Sequence, residues 1–480
     1  MIVDFWNISA HGWLYYSLMV AYALTVLGVI AVIVSENRNP VKSLAWVTVL
    51  LLLPAVGIVL YVFFGRNIKN KHKLSRRDRR RLKKREPDPH FDYSNYNLSP
   101  DSIQEIRLGN ALVGSHFYPG NSVEVFTNGA DKFAKFKEDL RSAKEFINIE
   151  YYIFSDDKIG TEVADILIDR SLAGVKVRLI YDHVGSFATR NKFFNKMRDA
   201  GVEAFPFFKV TFAWLGSRIN WRNHRKLSVI DGRIGYLGGM NVADRYIDGG
   251  KDFATWRDTH VRVEGPIVAA IEHAFAVDWH SMGKPLPTEA VDTTSICGDI
   301  GAQMITSGPT SRWPSIAYMF HKAISNAKRR VYIQTPYFLP TDALLKDLIT
   351  AALSRVDVRI MIPRHADSKL LNYASASYIS QCLQAGVKFY LYEPGMLHAK
   401  MIIIDDDVAT IGSTNFDFRS FEHNFEGNLF FYSSDFVEKL LEIYRKDQEQ
   451  SSRVFPAQWK HRPLLKKATE SIVRLLSPIL

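Results

Sequence analysis

Residues 222–241 read RNHRKLSVIDGRIGYLGGMN. His224 and Lys226 stand two apart, Asp231 follows, and a Gly-Gly-Met-Asn turn closes on Asn241. Residues 397–415, LHAKMIIIDDDVATIGSTN, place His398, Lys400, Asp405 and Asn415 at the same offsets. Side chains along a strand repeat every two residues, so each histidine and its lysine share one face. One such triplet is weak, with roughly a one in twenty chance of arising somewhere in a chain of ordinary composition. Two, each with its aspartate seven residues before Gly-[Gly/Ser]-x-Asn, are not chance.

The text around both motifs repeats as well. SAKEFINIEYYIF (142–154) matches NAKRRVYIQTPYF (326–338), setting Glu150 opposite Gln334 as candidate supports behind the site. LAGVKVRLIYD (172–182) resembles LSRVDVRIMIP (353–363), and AGVEAFPF (200–207) resembles AGVKFYLY (385–392). Helical and strand patterns alternate in both copies, which predicts an α/β fold of two similar halves. Register fails only before the first histidine strand, where FKVTFAWLGSRIN (208–220) is inserted. Its Phe208, Phe212 and Trp214 beside Lys209 and Arg218 suit either contact with a lipid interface or packing on the body.

Paired about a pseudo-twofold, the halves would bring two histidines, two lysines and two asparagines together, a set suited to a phosphodiester. Lys226, Lys400, Asn241 and Asn415 would bind the non-bridging oxygens as charge builds on them. One imidazole would attack phosphorus while the other protonates the departing alcohol, and the roles then reverse. The motif calls for no metal or cofactor. Each imidazole needs a partner on its second nitrogen. Asp258, 34 residues after His224, and Glu426, 28 after His398, are either those partners or ordinary strand-edge carboxylates. Asp231 and Asp405 complete the catalytic motif, but strand parity puts them on the face away from histidine, where turn contacts are the expected role.

The net charge of +11 does not indicate nucleic acid. Residues 66–85 hold twelve Lys/Arg and one acid, and without them 49 bases face 49 acids. This run follows two apolar stretches, 13–34 and 44–64, each about the ~20 residues that span a bilayer. Trp13, Tyr15, Tyr16, Trp46 and Tyr61 lie near their ends, as at a membrane interface. The reading is a two-helix transmembrane hairpin rather than a signal peptide, since a basic n-region and a cleavage site are missing. The basic run then places the body on the cytoplasmic side, and it also suits anionic headgroups. The two cysteines, Cys297 and Cys382, form no C-x-x-C pattern and favour a reducing compartment. Near the end, Leu464, Leu465, Ala468, Ile472, Leu475 and Leu476 fall at helical spacing among Lys466, Lys467 and Arg474. That segment either lies on a membrane surface or docks on the body.

The paired H-x-K-x4-D and G-[GS]-x-N motifs resemble the phospholipase D superfamily. The stretches IEYYIF, RNHRK, TWRDTHVRVEGP, GSTNFDFRSFEHNFE and the apolar N-terminal text resemble its bacterial cardiolipin synthases. The resemblance implies an α/β fold of two phospholipase D-like halves packed as a pseudo-dimer behind the hairpin. It divides the chain into 1–65 (hairpin), 66–112 (basic and polar linker), 113–296 and 297–480 (the halves). It implies phosphatidyl transfer between two phosphatidylglycerols through a phosphohistidine, with His224 favoured as nucleophile and Asp258 and Glu426 orienting the histidines. The location implied is a bacterial cytoplasmic membrane, with phosphatidylglycerol and the bilayer as partners. The alternatives are a phospholipase D making phosphatidic acid, or transfer to another acceptor such as phosphatidylethanolamine.

Overall fold

A computed structural model describes residues 2–35, 40–61, 96–209, 221–475 and 477. These fall into two compact units, the N-terminal helices and a body that begins at residue 96.

In the N-terminal unit one helix runs Ile2–Ser35, and its Tyr15–Ile33 portion is long and apolar enough to cross a membrane. The stretch expected as a second single span is broken. Helix Pro40–Leu52 stops, and a separate helix, Pro54–Leu60, follows. Pro54 has no N–H to give and crowds the residue before it, so Leu53 leaves the helical region at φ −132°, ψ 65°. Ile33, Leu50 and Tyr61 are buried together, with Val29, Trp46 and Ile58 packed against them. The hydroxyls of Thr25 and Thr48 donate to the carbonyls four residues back, so neither needs water. The basic run 66–85 lies outside the described residues.

The body begins earlier than the 66–112 linker assignment allows. Ser99 caps a helix, Pro100–Val113, by accepting the Ser102 N–H. Ile106 is fully buried, and the Gln303 side chain donates to its carbonyl.

One large sheet runs through both halves. From its edge to its centre the first half contributes Glu203–Phe207, Lys176–Asp182, Phe146–Tyr151, Lys226–Ile230, Ile234–Gly238, His260–Glu264 and Tyr118–Phe126. The second half contributes Lys388–Tyr392, Asp357–Pro363, Arg330–Gln334, Met401–Ile404, Val408–Gly412, Asn424–Tyr432 and Ile300–Ser307 in the same order. The central strands Tyr118–Phe126 and Ile300–Ser307 pair antiparallel, so the strand order is a palindrome about them. Ser451–Val454 adds an edge strand beyond Lys388–Tyr392.

Helices cover both faces, and the strands read as buried apolar runs for that reason. Alternate residues enter different cores, Ile147 and Ile149 in one and Leu227 and Val229 in the other. Each core draws residues from both halves.

Candidate active site

Three parallel strands in each half end at one edge of the sheet, and the histidine motifs stand at that end. Lys226 pairs with Tyr151, and the equivalent register sets Met401 against Gln334. The residue just before each motif crosses to the other half. Arg222–Asn223 pairs with Asn424–Phe425, and Met396–Leu397 pairs with Trp256–Arg257. The His224 N–H donates to the Phe425 carbonyl at 2.9 Å, and the His398 N–H to the Arg257 carbonyl at 2.7 Å.

This exchange decides which carboxylate serves which histidine. His224 Nδ1–H donates to Glu426 Oε1 at 2.9 Å, and His398 Nδ1–H donates to Asp258 Oδ2 at 2.6 Å. Counting along the chain pairs Asp258 with His224 and Glu426 with His398; the fold pairs them across the halves. Both carboxylates are fully buried, and the histidines are only 9% and 6% exposed. Gly239 makes the Asp258 position possible, because a Cβ there would collide with its carboxylate. Likewise Gly238 clears the His260 ring and Gly412 the Asn428 side chain. These glycines make room for neighbouring side chains and, at Gly238, for the main chain of Thr259 and His260.

Burial dominates the electrostatics. It pushes His224 down to about 4, with Glu426 opposing and Lys226 adding to the shift. His398 is held well below its ordinary value by burial and then by Lys400, whose Nζ lies 2.8 and 3.1 Å from the two ring nitrogens. Both rings are therefore neutral near pH 7. Burial lowers Lys400 to about 8, opposed by Asp258, and holds Lys226 well below its ordinary value, opposed by Glu426. Lys226 donates to the His224 carbonyl at 2.6 Å, and Lys400 does the same to that of His398. The charge of Lys400 is felt at His224 and that of Lys226 at His398, so the two sets form one site.

The two carboxylates differ. Burial raises Asp258 to about 6, with Lys400 opposing. Burial also pushes Glu426 upward, but His224, Lys226 and the Ser413 hydroxyl outweigh it and hold the carboxyl below its ordinary range. Tyr152 stands edge-on to His224 at 5.0 Å, and Tyr246 to His398 at 5.9 Å.

The remaining sequence candidates separate. Asn241 is engaged within the fold, accepting the Ile153 N–H and donating to the Tyr246 hydroxyl. Asn415 has its Oδ1 buried without a partner among the described residues. Asp231 and Asp405 do not belong with the reacting groups. Asp231 accepts the main-chain N–H groups of Lys144, Glu145 and Phe146, and Asp405 those of Lys328, Arg329 and Arg330. Each takes a left-handed turn, φ 50° and 49°, which Asp tolerates better than most residues. Phe208 rests on Phe207 and Phe425, with ring centres 4.4 and 5.7 Å away, so it packs on the body. Phe212 and Trp214 lie outside the described residues.

Two arginine–aspartate pairs behind the site were not read from the sequence. Arg225 donates from Nε to the Glu426 carbonyl and pairs with Asp278. Arg257 donates to the Asp258 carbonyl and pairs with Asp447 at 2.8 Å. Each orienting carboxylate is thus held through its own main chain by a buried arginine–aspartate pair. Asp278 and Asp447 close equivalent helices, Val268–Ser281 and Ser434–Glu449. Asp278 lies 20 residues after Asp258 and Asp447 lies 21 after Glu426, a spacing in the repeat that could have disclosed them. Glu150 accepts from Asn223, and burial beside Asp278 raises its carboxyl well above the usual range. Its counterpart in the second half is the Gln334 amide, which donates to Asp447 at 2.8 Å.

The family described as "Cardiolipin synthase, PLD-like domain" matches residues 136–279 and 320–448, and "Phospholipase_D-nuclease N-terminal" matches 23–66. The chain is 40% identical over 475 residues to "Major cardiolipin synthase ClsA" of Bacillus subtilis (strain 168), covering 96% of this chain and 98% of that one. It is 38% identical over 479 residues to "Cardiolipin synthase" of Alkalihalophilus pseudofirmus, covering 98% and 95%. Among solved structures, phosphatidylserine synthase of Haemophilus influenzae Rd KW20 shares the fold at a TM-score of 0.56 and 14% identity, over 78% of this chain and all of that one. The chain belongs to the cardiolipin synthase family of phospholipase D-like enzymes.

Proposed function

We propose that this phosphatidyltransferase joins two phosphatidylglycerol molecules, releasing glycerol and forming cardiolipin through a phosphohistidine. The observation that carries the reading is the crossed pair of buried histidine–carboxylate contacts, each with its own lysine, in one site.

In the first step His224 Nε2 attacks phosphorus. Nδ1–H, held by Glu426, leaves Nε2 with the lone pair. The phosphorus–glycerol bond breaks, and the glycerol oxygen takes a proton from His398. His398 is neutral in the empty site, so it must gain that proton as substrate binds. The bound phosphodiester supplies the means, since its negative charge offsets the lysines that hold the imidazole down. Lys226, Lys400 and the Asn415 Nδ2–H donors then serve the non-bridging oxygens. In the second step His398 removes a proton from the hydroxyl of a second phosphatidylglycerol, whose oxygen displaces His224 from phosphorus. Glu426, held ionised, suits the cationic phosphohistidine, while Asp258, closer to neutrality, suits a histidine that exchanges protons. This division supports His224 as the nucleophile.

In this reading the two halves form a pseudo-dimer about the central strand pair, and the N-terminal helices are a membrane hairpin with the body on the cytoplasmic side. The palindromic strand order and the apolar Tyr15–Ile33 helix support it. The test is mass spectrometry of lipids made by purified enzyme from vesicles of defined phosphatidylglycerol. Cardiolipin with equimolar glycerol is expected, and phosphatidic acid alone would refute transfer.

A further inference from the structure

The C-terminal helix, Leu464–Arg474, is docked with its apolar side outward. It packs on helix Lys369–Gln384 through Val473, 8% exposed, and through Arg474, whose guanidinium lies 4.4 Å from the Tyr378 ring centre. Glu470, 2% exposed, is bonded on the same side to Arg462 at 2.6 Å. At 100° per residue Glu470, Val473 and Arg474 span one flank of the helix, and Leu464, Leu465, Ala468, Ile472 and Leu475 span the opposite one. Leu464, Leu465 and Leu475 are 80–81% exposed and Ile472 65%. A helix held only by the body would be turned the other way, because folding normally buries the apolar stripe.

We infer that this outward stripe is a docking element for an anionic bilayer surface. The occupant follows from the charge around it. Arg462 is paired with Glu470, the single acid of the segment, and Arg474 lies on the docked flank, which leaves Lys460, Lys466 and Lys467 as the remaining bases beside the stripe. An apolar stripe flanked by bases fits headgroups over acyl chains, and a neutral protein partner would not call for those cations. The helix beneath adds Leu370 and Tyr373, 40% and 38% exposed, in its first turns. That helix starts just past Asp367, whose charge is felt at His398 and Lys400. The membrane contact stands on the stripe and its charges; only its benefit to turnover rests on the proposed lipid reaction.

The full chain, with exposed Cys297 changed to Ser, is labelled at Leu465→Cys or Ile472→Cys with an environment-sensitive fluorophore and placed in phosphatidylglycerol vesicles. Leu172→Cys, on a helix of the first half and 71% exposed, serves as the control. Labels at 465 and 472 are quenched by lipids carrying a quencher on the acyl chain, and the label at 172 is not. Quenching equal at all three sites, or absent at 465 and 472, overturns the proposal. Equal quenching in purely phosphatidylcholine vesicles overturns the anionic part. In a second arm, Leu464, Leu465, Ile472 and Leu475 are changed together to Ser. Activity on vesicles falls about tenfold, while activity on short-chain monomeric phosphatidylglycerol is retained. Equal loss on both substrates refutes docking, and quenching without any cardiolipin made would refute the assigned reaction and leave docking intact.

Discussion

Changing Glu426 to Gln tests the crossed site most directly. The carboxylate is fully buried and receives His224 Nδ1–H at 2.9 Å, with further donors in Ser413 and Asn424. Gln keeps the size and an acceptor oxygen but removes the charge that favours the imidazolium-like states of His224. Hydrogen bonds to charged groups contribute roughly 1.5–3 kcal/mol. At about 1.4 kcal/mol per decade, the His224-dependent step slows roughly 10- to 150-fold. Asp258→Asn should do the same to the step that needs His398. Histidine-selective NMR of the purified enzyme separates the two variants. Glu426→Gln shifts the His224 ring resonances and lowers its pKa further, leaving His398 near its original position; Asp258→Asn does the converse. Rapid-quench measurement of glycerol release then reports the first step. If Glu426→Gln perturbs His398 and spares His224, the carboxylates act within their own halves and the crossed arrangement is wrong.

Gly239→Ala drives a methyl group into the Asp258 carboxylate, so kcat should fall at least tenfold with the fold intact by circular dichroism. Asp231→Ala leaves three main-chain N–H groups without their acceptor; it should cost about 2–4 kcal/mol in denaturant unfolding while kcat per folded molecule stays within about twofold. The pH–rate profile should be a bell. Activity falls below about 6 as Asp258 gains a proton and above about 8 as Lys400 loses one, and a flat profile from 5 to 9 would refute those assignments. For stability the Lys400 sign is opposite: between about 8 and 10.5 the unfolded chain holds more protons, so its contribution rises with pH. Asp278→Asn should lower kcat with little change in KM, because it loosens Arg225 and through it Glu426; Asp278→Glu should restore part of the rate.

The halves, their alternating elements and the placing of His224 with Lys226 and of His398 with Lys400 were legible because each depends on periodicity or on identical offsets within a repeat. Asp231 and Asp405 were legible through strand parity, which turned them from the histidine face. The break at Pro54 within the second apolar stretch was not legible, since apolar length says nothing of a backbone break. The linker assignment missed helix Pro100–Val113, which packs on the core through Ile106, Leu108, Leu112 and Val113.

The sequence by itself determined the chemistry available: two imidazoles and two ammonium groups in matched strands, with Asp258 and Glu426 as candidates to orient them. Only the tertiary structure decided how they combine. The segments ahead of each histidine pair with the other half's carboxylate strand, so neither half holds a complete histidine–carboxylate pair. The same burial that makes those pairs exclusive strips water from them, and the charges and hydroxyl gathered at Glu426 then set it apart in acidity from Asp258. Offsets along a chain record neither strand exchange nor desolvation, because both arise from residues that lie far apart in sequence and meet only when the sheet closes at its centre.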